Sequence, residues 1–324
     1  MSISLCPLLV DFFIAPFVSI FADFHPLHSP GDIHLTGILF GLAGAIFIGA
    51  SDCIARVTSQ RVSLSILIFS VMGLSTVLLT LYFAVDGNFP VWHQTAWLAS
   101  AISGFLNVVA LYFLYLALAN GPVAVASPAA SSFAVMLVLL NAIAGQPWSW
   151  VQLLAVVVVF AGVAMLGRAS DDDPMQYSQA WLRKTVLLAT AAAIAVSIRM
   201  FLAQVATDLI GAPHALYLNR LFALATCVVL IGWQLSKATT LKFPTGKTAQ
   251  LVVLQSLFEM AALGMFLYGS LHGGRVAASI GFSAFAAATV IIARIFLREP
   301  IGRVRSLWVT VIVAGVLLAA IGTP

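Results

Sequence analysis

Between residues 35 and 322 the chain alternates long apolar runs with short polar links. The runs cover about 35–55, 64–85, 95–118, 121–143, 150–167, 185–207, 215–235, 249–271, 275–297 and 304–322. A helix rises about 1.5 Å per residue, and a hydrocarbon core near 30 Å thick takes about 20 apolar residues to cross. Each run therefore predicts one membrane-spanning helix, numbered here as spans 1 to 10. The links between spans 3 and 4, 4 and 5, 8 and 9, and 9 and 10 are very short, so those pairs must be antiparallel neighbours. The longest polar link, about 168–184, carries Asp171, Asp172, Asp173 and Pro174 and divides the spans into five and five.

Composition agrees with the pattern. Of the 324 residues, 62% are apolar and 8% charged. Soluble domains carry roughly 45–50% and 25%. So little charge cannot cover a chain of this size in water, which excludes a soluble enzyme, a nucleic-acid-binding module and a disordered tail. The net charge of +4 is not gathered into a basic run that fits nucleic acid. Cys6, Cys53 and Cys227 have neither disulfide nor zinc spacing. The sequence holds no nucleotide-binding or hydrolase motif, so no cofactor and no enzymatic activity are expected.

Residues 1–34 depart from the rule. The stretch from Leu8 to Ala22 is apolar but contains Pro16 and Asp11, and it lacks the basic start of a signal peptide. His25, His28 and His34 allow a metal-binding tail. A poorly ordered or interfacial extension is the plainer reading, and no metal is expected elsewhere.

The two sets of five are related. An offset of 153 lays residues 113–167 on 266–320 without a gap, with sixteen of 55 positions identical. Phe113, Leu114 and Tyr115 fall on Phe266, Leu267 and Tyr268; Gly121 falls on Gly274 and Pro147 on Pro300. An odd number of spans per repeat sends the second repeat into the membrane from the opposite side. The expected fold is all-α and integral to the membrane: ten helices in two inverted repeats, an arrangement typical of secondary transporters. The expected units are an extension (1–34), a first repeat (35–168), a linker (169–184) and a second repeat (185–324).

The stretches YFLYLALANGPVAVASPAASSFAVMLVLLNAIAGQPWSW and MFLYGSLHGGRVAASIGFSAFAAATVIIARIFLREPIG resemble the drug/metabolite transporter superfamily, EamA type. The resemblance covers about 35–322. It implies an aromatic third helix and a small-residue fourth helix in each repeat, with an acidic turn before the fifth. Arg298-Glu299-Pro300 fits that turn, whereas Gly145-Gln146-Pro147 lacks the acid. An Arg near the start of the second helix is matched by Arg220, but the first half has Ile68-Phe69 there. The resemblance also implies a midplane site lined by spans 1, 3, 4, 6, 8 and 9, export rather than import, and cytoplasmic termini. Lys and Arg point the other way on orientation. Eleven lie in the links 1–2, 5–6, 7–8 and 9–10, and Arg275 stands alone opposite. The positive-inside rule puts those links in the cytoplasm and both termini outside.

Ionisable groups within spans are costly, and each is a functional hypothesis. Counted along their helices from the Lys/Arg-rich face, Arg199, Arg220 and Glu259 lie about 21, 22 and 15 Å deep, within about one helical turn. Such a cluster allows one Arg to pair with Glu259 while the other attracts a substrate carboxylate or phosphate. Glu259 is the candidate for proton coupling. A buried pair that only fixes helix packing fits the same spacing. Asp52 and Arg56, four apart near the end of span 1, read as a pair at the membrane boundary.

Asn107, Tyr112, Tyr268, Ser127 and Ser283 complete the candidate substrate contacts. Pro128, which deletes a helix hydrogen bond, and its repeat counterpart Gly281 are candidate gating positions. Packing alone accounts equally for the tyrosines and the small residues. Gly37, Gly41, Ala45 and Gly49 form a small-residue stripe that lets another helix approach span 1.

The sequence thus reads as a secondary transporter, an exporter of a small organic metabolite or drug-like compound by alternating access, with proton coupling through Glu259 as one option. The expected setting is a bacterial-type inner membrane, as monomer or homodimer. The alternatives are a membrane receptor or assembly protein, or a lipid-modifying enzyme. The inverted repeat argues against the first, and the lack of a catalytic constellation argues against the second.

Overall fold

The computed structural model describes residues 30–121, 123–146, 149–166, 178–237, 239–297 and 302–321. The histidines His25 and His28, the aspartates 171–173 and Arg298-Glu299-Pro300 lie outside these. So do the side chains of His34, Pro128 and Ser283.

All the described elements are helical. They are α1 (Pro30–Thr58), α2 (Leu64–Asp86), α3 (Gln94–Asn120), α4 (Val123–Ala130), α5 (Ser132–Ile143), α6 (Trp150–Leu166), α7 (Gln179–Ile210), α8 (Ala212–Ser236), α9 (Lys247–Gly273), α10 (Arg275–Ser283), α11 (Phe285–Ile292) and α12 (Arg303–Ile321). A π-helical turn, Ala293–Leu297, follows α11. Helix α1 starts at Pro30, inside the stretch expected as an extension. Six of these helices, α1 to α3 and α7 to α9, are long and apolar enough to cross a membrane. The apolar runs of spans 4 and 9 are each broken, into α4 and α5 and into α10 and α11. Spans 5 and 10 are α6 and α12.

Local chemistry sets the helix ends. Gly87, at φ 73°, stops α2 and donates its N–H to Phe83 O. Ser178 and His93 accept the Trp181 and Ala96 N–H groups at the starts of α7 and α3. Such caps satisfy donors the helix itself leaves open. Gly211, at φ 83°, allows α7 to turn into α8 with no loop between them.

Solvent preference is inverted relative to a soluble protein. Leu39, Leu187 and Val229 point outward, while Arg220, Asn107, Gln204 and Gln255 are buried. Lipid does not penalise exposed aliphatic groups, and it drives polar groups into the bundle.

Contacts between links sort onto two ends. At one end the Lys242 N–H donates to Ser63 Oγ at 2.8 Å, and Arg56 donates to the carbonyls of Leu118 and Ala119. At the other end His214 meets Asn88 O at 2.8 Å, and Arg275 pairs with Asp208. Helix α1 therefore runs toward the first end and α7 away from it; α3 and α9 oppose each other in the same way. The tightest packing is crossed: α1 lies against α9, and α7 lies against α3.

The breaks in spans 4 and 9 fall at Ser131 and Ala284. The offset of 153 puts these at one position. Three residues earlier stand Pro128 and Gly281. Proline removes a backbone donor and crowds the preceding turn.

The glycine stripe of α1 faces α9, α10 and α11. A Cβ on Gly49 would meet Thr289 N at 2.9 Å, and one on Gly41 would meet Ala278 O and, at 2.7 Å, Phe282 N. Backbones touch here with no side chain between. Gly41→Val is expected to destabilise the solubilised protein by about 1–3 kcal/mol, as overpacking does. Gly232→Val, at a site with open space, is expected to shift thermal unfolding little. Equal melting temperatures for the two variants would contradict this packing.

Candidate functional site

A cavity of about 40 Å³ lies where the two crossed helix pairs meet. Its wall takes Asp52 from α1, Leu111 and Leu114 from α3, Phe133 from α5, Arg199 from α7, Glu259 from α9, and Phe282 and Phe285 from α10 and α11. Those elements belong to spans 1, 3, 4, 6, 8 and 9. The volume holds a few water molecules and no metabolite. Ala130 and Phe133 bracket the Ser131 break, and Phe282 and Phe285 bracket the Ala284 break; all four line the cavity. The rings of Phe133 and Phe285 stand 5.5 Å apart, and Phe133 meets Phe282 edge-on at 5.9 Å.

Two arginines come to this level and behave differently. Arg220 is fully buried. Its Nη1 donates to Glu259 Oε1 at 2.9 Å and contacts Met72 Sδ at 3.1 Å, and its Nη2 reaches Glu259 O at 3.3 Å. Arg199, 5% exposed, faces the cavity, and its Nε and Nη1 have no hydrogen-bond partner among the described residues. A buried guanidinium that lacks partners is a costly arrangement, and it offers a directed site for a carboxylate, sulfonate or phosphate.

Asp52, read from the sequence as a boundary residue, is instead buried on the cavity wall, and its Oδ2 has no partner. Span counting misplaced it because α1 continues to Thr58 and sets Asp52 well inside the helix.

The remaining expected contacts lie elsewhere. Asn107 is buried behind the wall, 3.4 Å from both Asn219 Oδ1 and Met72 Sδ. Asn219 Nδ2 continues to Ser103 Oγ at 2.7 Å, and Ser103 donates to the Arg199 carbonyl at 2.8 Å. Tyr112 is 37% exposed on the outer face of α3, beside Phe113. Tyr268 packs between His272, at 4.1 Å, and Phe40, at 4.8 Å, toward one end of the bundle. Ser127 is buried in α4 with an unpartnered Oγ and does not line the cavity. Gly281 presses α10 on α1: a Cβ there would strike the Ile38 carbonyl.

Sequence reading missed two buried glutamines that join helices around the cavity. Gln204 accepts from Asn141 at 3.1 Å and donates to Ser270 at 3.0 Å, tying α5, α7 and α9. Gln255 donates to the Tyr115 hydroxyl at 2.7 Å and accepts from Thr58 at 2.9 Å, tying α9, α3 and α1. A neutral amide inside an apolar run carries little weight in a charge count, yet a buried amide needs partners on neighbouring helices.

Residues 35–168 match the EamA-like transporter family. A solved crystal structure resembles the chain with a TM-score of 0.61 at 16% identity, over 88% of this chain and 96% of that one. At that identity the likeness shows the fold alone. No protein of curated function matches the sequence.

The Arg220–Glu259 pair generates a packing prediction. Arg220→Met leaves Glu259 buried and uncompensated, and is expected to cost about 3–5 kcal/mol, read as lost monodisperse protein in detergent. Arg220→Met with Glu259→Met is expected to recover much of it. A double variant as poor as the single one would show that the charge balance of the pair is not what matters.

Proposed function

We propose that this integral membrane protein is a secondary transporter of the drug/metabolite transporter superfamily, a reading supported by the match of residues 35–168 to the EamA-like transporter family. It exports a small organic metabolite or drug-like compound by alternating access. On this reading the twelve described helices belong to ten spans in two inverted repeats of five. The crossed packing, the opposed directions of α1 and α7, and the matched breaks at Ser131 and Ala284 support that reading. The Lys/Arg-rich end faces the cytoplasm of a bacterial-type plasma membrane.

The observation that carries the proposal is Arg199, with two unpartnered nitrogens on the wall of a central cavity. The guanidinium binds the anionic group of the substrate, and the phenylalanines take its apolar body. Arg220 and Glu259 hold the helices that frame the site. The Gln204 and Gln255 clasps part in turn, one for each side of the membrane. The break at Ser131, three residues beyond Pro128, lets span 4 move against span 9, which its glycine contacts hold on α1.

Counterflow in proteoliposomes against a panel of labelled organic acids, amines and neutral compounds tests this. Exchange of at least one organic acid is expected, with a loss of at least tenfold in Arg199→Gln. Failure of every compound to exchange would overturn the transport reading. Exchange unaffected by Arg199→Gln would remove the arginine from the site.

A further inference from the structure

We propose that Asp52, and not Glu259, carries the proton of this site: it is protonated when an organic anion sits on Arg199 and ionised when the cavity is empty. The inference rests on the reading of Arg199 as the anion contact.

The argument is one of charge balance among buried groups. Four ionisable side chains cluster at the cavity level: Asp52, Arg199, Arg220 and Glu259. Fully ionised, they sum to zero. A monoanion on Arg199 adds one negative charge in surroundings of low dielectric, where net charge is expensive. One proton on a carboxylate restores neutrality, and two carboxylates are available.

Both line the cavity and each has one unpartnered oxygen, Asp52 Oδ2 and Glu259 Oε2, but only Glu259 is committed to an arginine. Its Oε1 receives the Arg220 guanidinium at 2.9 Å, so protonation would leave a fully buried cation without its counter-ion. Asp52 has an unpartnered Oδ2 on the cavity wall. Protonation there breaks no ion pair.

The other groups around Asp52 fit this assignment. Glu259 faces it from α9 with Arg220 of α8 behind, Tyr115 from α3, and Arg199 across the cavity from α7. Helices α4 and α11 carry no ionisable residue, and Arg275 of α10 lies at the end of the bundle with Asp208. On α1 itself Arg56 turns to the Leu118 and Ala119 carbonyls, and Cys53 donates to Thr289 O.

The proton comes from water on whichever side the cavity is open and is returned to water when the anion leaves. No bond other than O–H forms or breaks. The occupied, protonated site and the empty, ionised site are both neutral, and those are the two forms that can cross between facings. Anion and proton therefore travel together, the transport is electroneutral, and net export runs down the substrate's own outward gradient. The ligand class is a monoanion with an aromatic or aliphatic body, matched to Arg199 beside Phe133, Phe282 and Phe285.

By linkage, protonation that favours the anion makes anion affinity highest at low pH and lower as Asp52 ionises. Benzenesulfonate is a suitable probe, since it stays ionised throughout and carries no proton of its own. Its dissociation constant is measured by calorimetry on the full chain in nanodiscs from pH 5 to 9. The wild type is expected to weaken at least tenfold across that range. Asp52→Asn, which mimics the protonated form, is expected to bind with a constant that changes less than twofold. Asp52→Glu, which keeps a titratable carboxylate, is expected to restore the slope and shows that position 52 accepts substitution.

A flat wild-type profile with clear binding, or a slope that survives in Asp52→Asn, overturns the assignment while leaving the anion site intact. Wild-type protein that fails to bind benzenesulfonate at every pH, like Arg199→Gln, overturns the reading of Arg199 and this inference with it.

Discussion

A guanidinium taken out of water has to find an anion, and nearly everything at the centre of this protein follows from that demand. Arg220 meets it within the chain, through Glu259 and the Met72 sulfur. The pair joins α8 to α9 and brings α2 against both. Arg199 sits at the same level and has not met the demand, since two of its nitrogens have no partner. Arg220 is ion-paired and leaves only its Nε without a partner, whereas Arg199 makes no ion pair among the described residues and leaves two nitrogens without one. The wall is otherwise mostly aliphatic and aromatic.

Polar groups in the rest of the bundle obey the same rule by neutral means. Gln204 and Gln255 each bind side chains on two or more other helices around the cavity. Such amide clasps cost less to break than an ion pair in lipid, because the parted groups are uncharged. The buried Arg220–Glu259 pair thus joins α8 to α9, while uncharged amides join the helices around the cavity.

Much of this was legible in the sequence. Apolar run lengths located the helices, since lipid thickness leaves little freedom. Depth counting brought Arg199, Arg220 and Glu259 to one level because helical rise is constant. The side chain's direction around the helix was not legible. Tyr112 and Tyr115 differ by three residues, yet one faces outward and the other bonds Gln255 in the core. Apolar exteriors and apolar interiors look alike along a membrane helix, so hydropathy gives no phase. The breaks at Ser131 and Ala284 were hidden for a related reason: proline and glycine marked the region, but only backbone geometry fixes where a helix gives way. Asp52 was read as peripheral because span ends were drawn too short.

The glycine contacts of α1 carry one more consequence. Backbones that touch at Gly37, Gly41, Gly49 and Gly281 leave no clearance for sliding, so α1, α9 and the α10–α11 rod are locked into a single block. Helices α3 and α7, with α4 and α5, form the other. Each block draws helices from both ends of the chain. The seam along which the cavity can widen therefore does not follow the boundary between the two halves of the sequence. It cuts across both, and a cleavage of the chain near residues 169–184 would divide the polypeptide without separating the parts that move.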